Sequence, residues 1–306
     1  MGLLTHPDPA VAAAPAAAAA AADKVLVGLI GAGIQRSLSP AMHEEEARCQ
    51  DLKLHYQLID LDRLGLDAAA LPQLLQAARW MGYAGLNITF PCKQAVIPWL
   101  DDLSDEARAM GAVNTVVFDG ARAIGHNTDG SGWAWGFQRA LPQADLGCVV
   151  LLGGGGAGSA IAHAVLRLGA AQLRVVEPDA ARAAALVAEL QALYGAGRVQ
   201  AAPDAATALQ GATGLIHATP TGMDKLPGLP LAAELLQPGL WVSEIVYFPL
   251  ETALLKAARA AGCRVVDGGT MAVGQAVGAF GLFTGRTAEP DRVEAHFRRL
   301  VSQRGG

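Results

Sequence analysis

The chain has 306 residues, enough for two domains at roughly 100–200 residues each. Hydrophobic residues make up 52% of it and charged residues 17%, which excludes a wholly disordered chain. A net charge of −5 gives no basic field for nucleic acid or an anionic membrane, and four scattered cysteines (Cys49, Cys92, Cys148, Cys263) without zinc-ligand spacing favour a reduced, cytoplasmic setting with no bound metal.

Residues 1–23 read as a disordered, alanine-rich tail: eleven of the thirteen residues from 10 to 22 are alanine, and Pro15 interrupts any helix. No Lys or Arg precedes Lys24, which argues against a signal peptide, and no apolar run reaches the roughly 18 residues of a membrane span. From Lys24 onward, strand-length apolar runs fall at 25–30, 55–59, 85–88, 113–118, 149–152, 173–176, 214–217, 241–246 and 264–266. Helical periodicity separates them at 71–80, 157–168, 180–193, 250–261 and 292–301. Such alternation predicts two α/β domains built on parallel sheets, with a break near 127–147.

The first strand runs into Gly31-Ala32-Gly33, which imitates the start of a dinucleotide loop. Its third glycine position is Arg36, however, and Ser37-Leu38-Ser39-Pro40 follows, so this loop is assigned to substrate. The strand at 85–88 ends in polar residues, Asn87 and Thr89, with Lys93 just beyond Pro91. Ligands gather at such strand ends, and a partly desolvated lysine there can shuttle a proton. Asn114 and Asp129 add an amide and a carboxylate. Taken singly, each has a plainer alternative: Lys93 solvated, Asn114 in a turn, Asp129 capping the next helix.

The strand at 149–152 leads into Gly153-Gly154-Gly155-Gly156-Ala157-Gly158 and then a helix. Gly153, Gly155 and Gly158 satisfy G-x-G-x-x-G in the strand–loop–helix context where backbone N–H groups meet a pyrophosphate. Glu177 closes the following strand, where a carboxylate accepts the ribose hydroxyls of NAD and repels the 2′-phosphate of NADP; a solvated strand-end carboxylate is the alternative.

Together Ser-x-Ser-Pro, Asn-x-Thr-x-Pro-x-Lys, Gly-Ala-Val-Asn-Thr, Asn-Thr-Asp-Gly and the glycine loop, in this order, resemble the shikimate dehydrogenase family. The later segments Ala218-Thr219-Pro220-Thr221-Gly222-Met223, Val246-Tyr247-Phe248-Pro249 and Gly274-Gln275-Ala276 agree with it. The chain looks most like the family's NAD-using quinate/shikimate dehydrogenases. The resemblance implies a substrate-binding domain at 24–127, a Rossmann-type NAD domain at 128–268, and C-terminal helices at 269–306 returning to the first domain. It implies Lys93 and Asp129 as the proton-transfer pair, with Ser37, Ser39, Asn87, Thr89, Asn114, Tyr247 and Gln275 holding the substrate. It assigns Gly153, Gly154, Gly155, Gly156 and Ala157 to the pyrophosphate and Glu177 with Arg182 to the ribose. Pro220, Thr221, Gly222, Met223, Ile245 and Gly268 would line the nicotinamide side. The implied partner is a small molecule, shikimate or quinate, and the implied assembly a monomer or homodimer.

Three departures from the family pattern stand out. Gly154 stands where alanine is usual, Glu177-Pro178-Asp179 replaces the Asn-Arg-Thr/Ser cluster of NADP-using members, and His217 replaces an asparagine before Ala-Thr-Pro. The alternatives are an NADP-dependent biosynthetic shikimate dehydrogenase, with Arg182 serving the phosphate, and an aminoshikimate dehydrogenase. A non-catalytic NAD-binding sensor is a third, though it would need neither Lys93 nor Asp129.

Overall fold

The fold was obtained as a computed structural model, which describes residues 24–304; the alanine-rich segment read as a tail lies outside the described residues. The first part runs β1 (Lys24–Gly31), α1 (Ser39–Cys49), β2 (Lys53–Asp60), α2 (Leu61–Leu64), α3 (Leu71–Trp80), β3 (Tyr83–Ile88), α4 (Cys92–Ala95), β4 (Asp102–Leu103), α5 (Asp105–Met110), β5 (Thr115–Asp119) and β6 (Arg122–His126). Its sheet has the order β2-β1-β3-β5-β6-β4. Only part of it is parallel, because β5 pairs antiparallel with both β3 and β6. The run at 113–118 predicted one strand and nothing beyond it. Instead Asp119 pairs with Arg122 across a tight turn in which Gly120 takes φ +58, and the polar segment 122–126 becomes the return strand. Val113 and Asn114 leave the ladder: Val113 N–H donates to Lys93 O and Asn114 N–H to His126 O.

Helix α6 (Asp129–Ala140) crosses to the second part. This comprises β7 (Cys148–Leu152), α7 (Gly156–Arg167), β8 (Gln172–Val176), α8 (Ala180–Tyr194), β9 (Val199–Ala201), α9 (Ala205–Ala208), β10 (Gly214–His217), β11 (Trp241–Glu244), α10 (Ala253–Ala260) and β12 (Arg264–Val266). The sheet order is β12-β11-β10-β7-β8-β9 and every pairing is parallel. This is the doubly wound arrangement, whose switch point lies between β7 and β10. Both sheet faces are covered: Val149, Leu151, Ile161 and Val165 pack in one cluster, and Val150, Leu152, Leu215 and Leu254 in another. Strand β7 is therefore apolar at every position rather than alternating.

Helices α11 (Gly268–Thr284) and α12 (Pro290–Arg304) return to the first sheet. Phe280 and Phe297 bury against Leu38 and Met42 of the first part, and Phe283 packs with Val27 and Tyr56. α11 crosses α6 at glycines: a side chain on Gly274 would collide with the backbone of Gly132, and one on Gly132 would lie 2.6 Å from Gln275 N. This close approach brings Gln275 against the first turn of α6.

Candidate active site

A cavity of about 460 Å3 opens at the carboxyl ends of β1 and β3. All nine residues expected to bind substrate or move a proton line it: Ser37, Ser39, Asn87, Thr89, Lys93, Asn114, Asp129, Tyr247 and Gln275. They come from separate segments because β1 and β3 are neighbours, α6 starts beside them, and α11 folds back over all three. The Gly31-Ala32-Gly33 loop serves this cavity. A side chain at Gly31 would collide with Thr89, and Ala32 N–H donates to Phe90 O at 2.9 Å, so the loop is shaped around the end of β3. Its neighbour Ser37 donates Oγ–H to Ser39 Oγ at 3.2 Å.

Charge is concentrated at one point. Lys93 Nζ lies 2.6 Å from Asp129 Oδ2, with the lysine side chain a quarter exposed and the carboxylate almost fully buried. Asp129 Oδ1 accepts from Asn114 Nδ2 at 2.9 Å and from Gln275 Nε2 at 2.6 Å. Asp129 is the first residue of α6, but its side chain does not cap that helix; its own N–H is held by Asn127 Oδ1 at 2.9 Å. A buried carboxylate with one cation and two amides keeps its acceptors satisfied, while Lys93 retains a face toward the cavity. Asn114 is likewise no turn residue. Its Oδ1 accepts from Thr128 N–H at 2.8 Å and from Thr115 Oγ at 3.0 Å, which fixes the amide orientation that serves Asp129.

Several supporting residues have no counterpart among the residues expected from the sequence, among them Thr115, Thr128, Tyr56 and Asn127. Tyr56 Oη donates to Asn87 Oδ1 at 2.7 Å from a fully buried position, and burial pushes its phenol well above the usual range. Asn127 holds Asp129 from behind. Asn127 sits within the Asn-Thr-Asp-Gly motif and was available as a signal. Tyr56 was not, since a tyrosine in an alternating strand reads as packing.

The second candidate region lies at the carboxyl edge of the parallel sheet. Gly153 follows β7 with φ +96, and Gly158, three residues into α7, leaves no room for a side chain against Gly153 O. Gly155 and Gly156 instead face open space at the N-terminus of α7, whose first turn holds no acidic residue. That is where an anion such as a pyrophosphate fits. At Gly154, where alanine is usual, a side-chain carbon would stand 3.2 Å from Leu186 and 3.5 Å from Glu177, so the glycine sits snugly under the loop. Glu177 is not a solvated strand-end residue: its side chain is 6% exposed and accepts from Gly154 N–H at 2.8 Å and Asp179 N–H at 3.0 Å. Arg182 stands outside it, exposed, at 3.5 Å from Glu177 and 3.3 Å from Asp179. Pro220, Thr221 and Gly222 follow β10, Ile245 follows β11, and Gly268 opens α11 after β12, all on the edge that carries the glycine loop. Met223 alone of this group reaches the cavity lined by Lys93 and Asp129. The two regions adjoin, since a side chain on Gly130 would lie 2.8 Å from Ala160 O of α7. Among the described residues no cluster suited to a metal ion occurs, and no helix is long and apolar enough to cross a membrane.

Comparison with known proteins points the same way. Residues 29–116 match the family model described as the shikimate dehydrogenase substrate binding domain. A shikimate dehydrogenase (NADP(+)) of Streptomyces avermitilis is 59% identical over 91% of this chain and 97% of its own length. A quinate/shikimate dehydrogenase (NAD(+)) of Corynebacterium efficiens is 44% identical over 91% and 99%. Among solved structures, quinate dehydrogenase from Corynebacterium glutamicum in complex with NAD superposes with a TM-score of 0.84 at 42% identity, covering 90% of this chain and 99% of that one. Cavity, parallel sheet and relatives converge on one assignment: the chain is an oxidoreductase of the shikimate dehydrogenase family.

Proposed function

We propose that this chain is an NAD-dependent dehydrogenase that interconverts shikimate and 3-dehydroshikimate and also accepts quinate. The observation that carries the reading is the Lys93–Asp129 pair at the wall of a polar cavity. Oxidation of a secondary alcohol needs a base within hydrogen-bond reach of the hydroxyl, and Lys93 Nζ, as the free amine after its own proton has passed to solvent, takes that proton. Asp129 holds the resulting ammonium, while Asn114 and Gln275 keep the carboxylate aimed at it. Ser37, Ser39 and Tyr247 bind the carboxylate end of the ring, and Asn87 and Thr89 its hydroxyls. The nicotinamide nucleotide supplies the hydride acceptor. The open glycines at 155–156 and the N-terminus of α7 fit its pyrophosphate, and Glu177 fits a free ribose 2′-hydroxyl.

The buried position of Glu177 supports NAD over NADP. A 2′-phosphate beside this carboxylate would cost about 1–3 kcal/mol, or about 5–150-fold. The NADP(+) name of the 59% identical relative, together with exposed Arg182 nearby, favours a second reading in which Arg182 takes the phosphate. Quinate carries an extra hydroxyl at the carbon bearing the carboxylate, and the small serines leave it both space and a partner. The deciding experiment is a steady-state assay of shikimate and quinate, each with NAD and NADP. NAD is expected to win in kcat/KM, with quinate within about two orders of magnitude of shikimate, or about 2.7 kcal/mol. A preference for NADP overturns the account of Glu177, and no quinate oxidation at saturating NAD leaves shikimate as the sole substrate.

A further inference from the structure

His217 and Glu244 lie side by side at the carboxyl ends of β10 and β11, both fully buried. His217 Nδ1 is 2.9 Å from Glu244 Oε1, and His217 Nε2 is 2.5 Å from Thr219 Oγ1. Glu244 accepts two further hydrogen bonds: Oε1 from Val246 N–H at 2.9 Å and Oε2 from Thr252 Oγ–H at 3.0 Å. Thr252 Oγ in turn accepts from Leu255 N–H as the cap of α10, so its own proton is free for Glu244. With the carboxylate accepting throughout, His217 carries a proton on Nδ1 toward Glu244, and its Nε2 pairs with Thr219 Oγ. Thr219 Oγ then accepts Thr221 N–H at 3.3 Å. Every polar side-chain atom along this network has a partner.

The network joins three segments that reach the site. Thr219 packs on the glycine loop, since a side chain on Gly153 would lie 2.9 Å from its methyl group. Thr252 packs under Gly222, 3.6 Å from where a side-chain carbon would stand. Val246 N–H is held one residue before Tyr247, which lines the substrate cavity. We infer that His217 and Glu244 are positioning residues that tie the connection 219–223 to the turn carrying Tyr247, so that nucleotide and substrate meet one rigid wall and each tightens the other's binding. The inference rests on the reading of 220–223 as the nicotinamide side and of Tyr247 as a substrate contact.

Two variants separate the two arms of the histidine. His217→Asn keeps a donor at the Nδ1 position for Glu244 but no longer reaches Thr219; Thr219→Val removes only the hydroxyl. The dissociation constant of shikimate is measured with and without saturating NADH, by the fluorescence of the bound reduced nucleotide and by calorimetry, alongside the thermal midpoint. Wild type is expected to bind shikimate more tightly when NADH is present. Both variants should keep that midpoint within a few degrees yet lose about fivefold or more of the coupling, equally whichever ligand is titrated first. Undiminished coupling in a folded variant overturns the proposal and leaves His217 as packing. If His217→Asn fails to fold, Thr219→Val alone decides. Repeating the wild-type titration with NADPH separates this failure from an error in the cofactor assignment, because the latter changes which nucleotide binds and leaves the coupling in place.

Discussion

Replacing Asp129 by Asn keeps the volume and removes one charge. The carboxylate now uses Oδ1 for two amide donors and Oδ2 for Lys93. An amide has a single oxygen. Kept toward Asn114 and Gln275, it turns its NH2 on the Lys93 ammonium; flipped, it turns the NH2 on two other donors. Either arrangement forfeits a charge-assisted bond worth about 1.5–3 kcal/mol. Stranding one member of a fully buried pair costs about 3–5 kcal/mol, but Lys93 is a quarter exposed and water relieves part of that. A loss of about 2.7–4 kcal/mol from the transition state follows, or about 10²–10³ in kcat. Stopped-time or continuous assays at saturating nucleotide measure it, with NADH affinity as the control, since none of the atoms that change belongs to the glycine loop. Retention of more than about a third of wild-type turnover would refute the assignment of Asp129 to proton transfer.

Lys93→Ala should lower kcat by roughly 10²–10⁴ while leaving nucleotide affinity nearly unchanged; half of wild-type turnover surviving would require another group to move the proton. Ser37 and Ser39, both replaced by Ala, should raise KM for shikimate strongly and for the nucleotide little, as steady-state kinetics would show. Equal effects on both would mean that the pair only shapes the entry to α1. His43 sits fully buried between Tyr56, Phe280 and Phe283, and burial pulls its imidazole down from an ordinary 6.5 to about 4. The unfolded chain therefore takes up this proton first as pH falls. The stability gained by keeping the ring neutral is complete above about pH 6.5 and is lost between there and pH 4, on the order of 3 kcal/mol. Urea unfolding of His43→Leu should show a flatter acid limb than wild type, and equal slopes would exclude His43 as its source.

The parallel sheet was readable because β7 is short, uniformly apolar and bounded by glycine, and β10 is short and apolar up to His217, so pattern and burial coincide. The antiparallel return of β6 was hidden: Arg122–His126 has a charged and a glycine position and becomes a strand through pairing with β5, which no local pattern expresses. Within the site, the polar residues at strand ends stood out as chemistry misplaced on apolar elements. Their supports did not. Tyr56 and Thr115 act through neighbours on other strands or loops, and His217 gains its partner Glu244 only when two strands lie in register.

The contact of Gly132 with Gly274 has a mechanical consequence. The polypeptide passes between the two sheets along α6 and returns along α11, and these two passages touch. A rotation of one lobe against the other about that contact would move its immediate neighbours least. Asp129 and Gln275 lie within one turn of it, so a swing of the lobes displaces the charged pair little. Phe90 on one rim and Met223 on the other lie farther out and sweep a longer arc. Such a swing would widen the mouth of the cleft while the Lys93–Asp129 pair stayed nearly still, like the rivet of a pair of tongs.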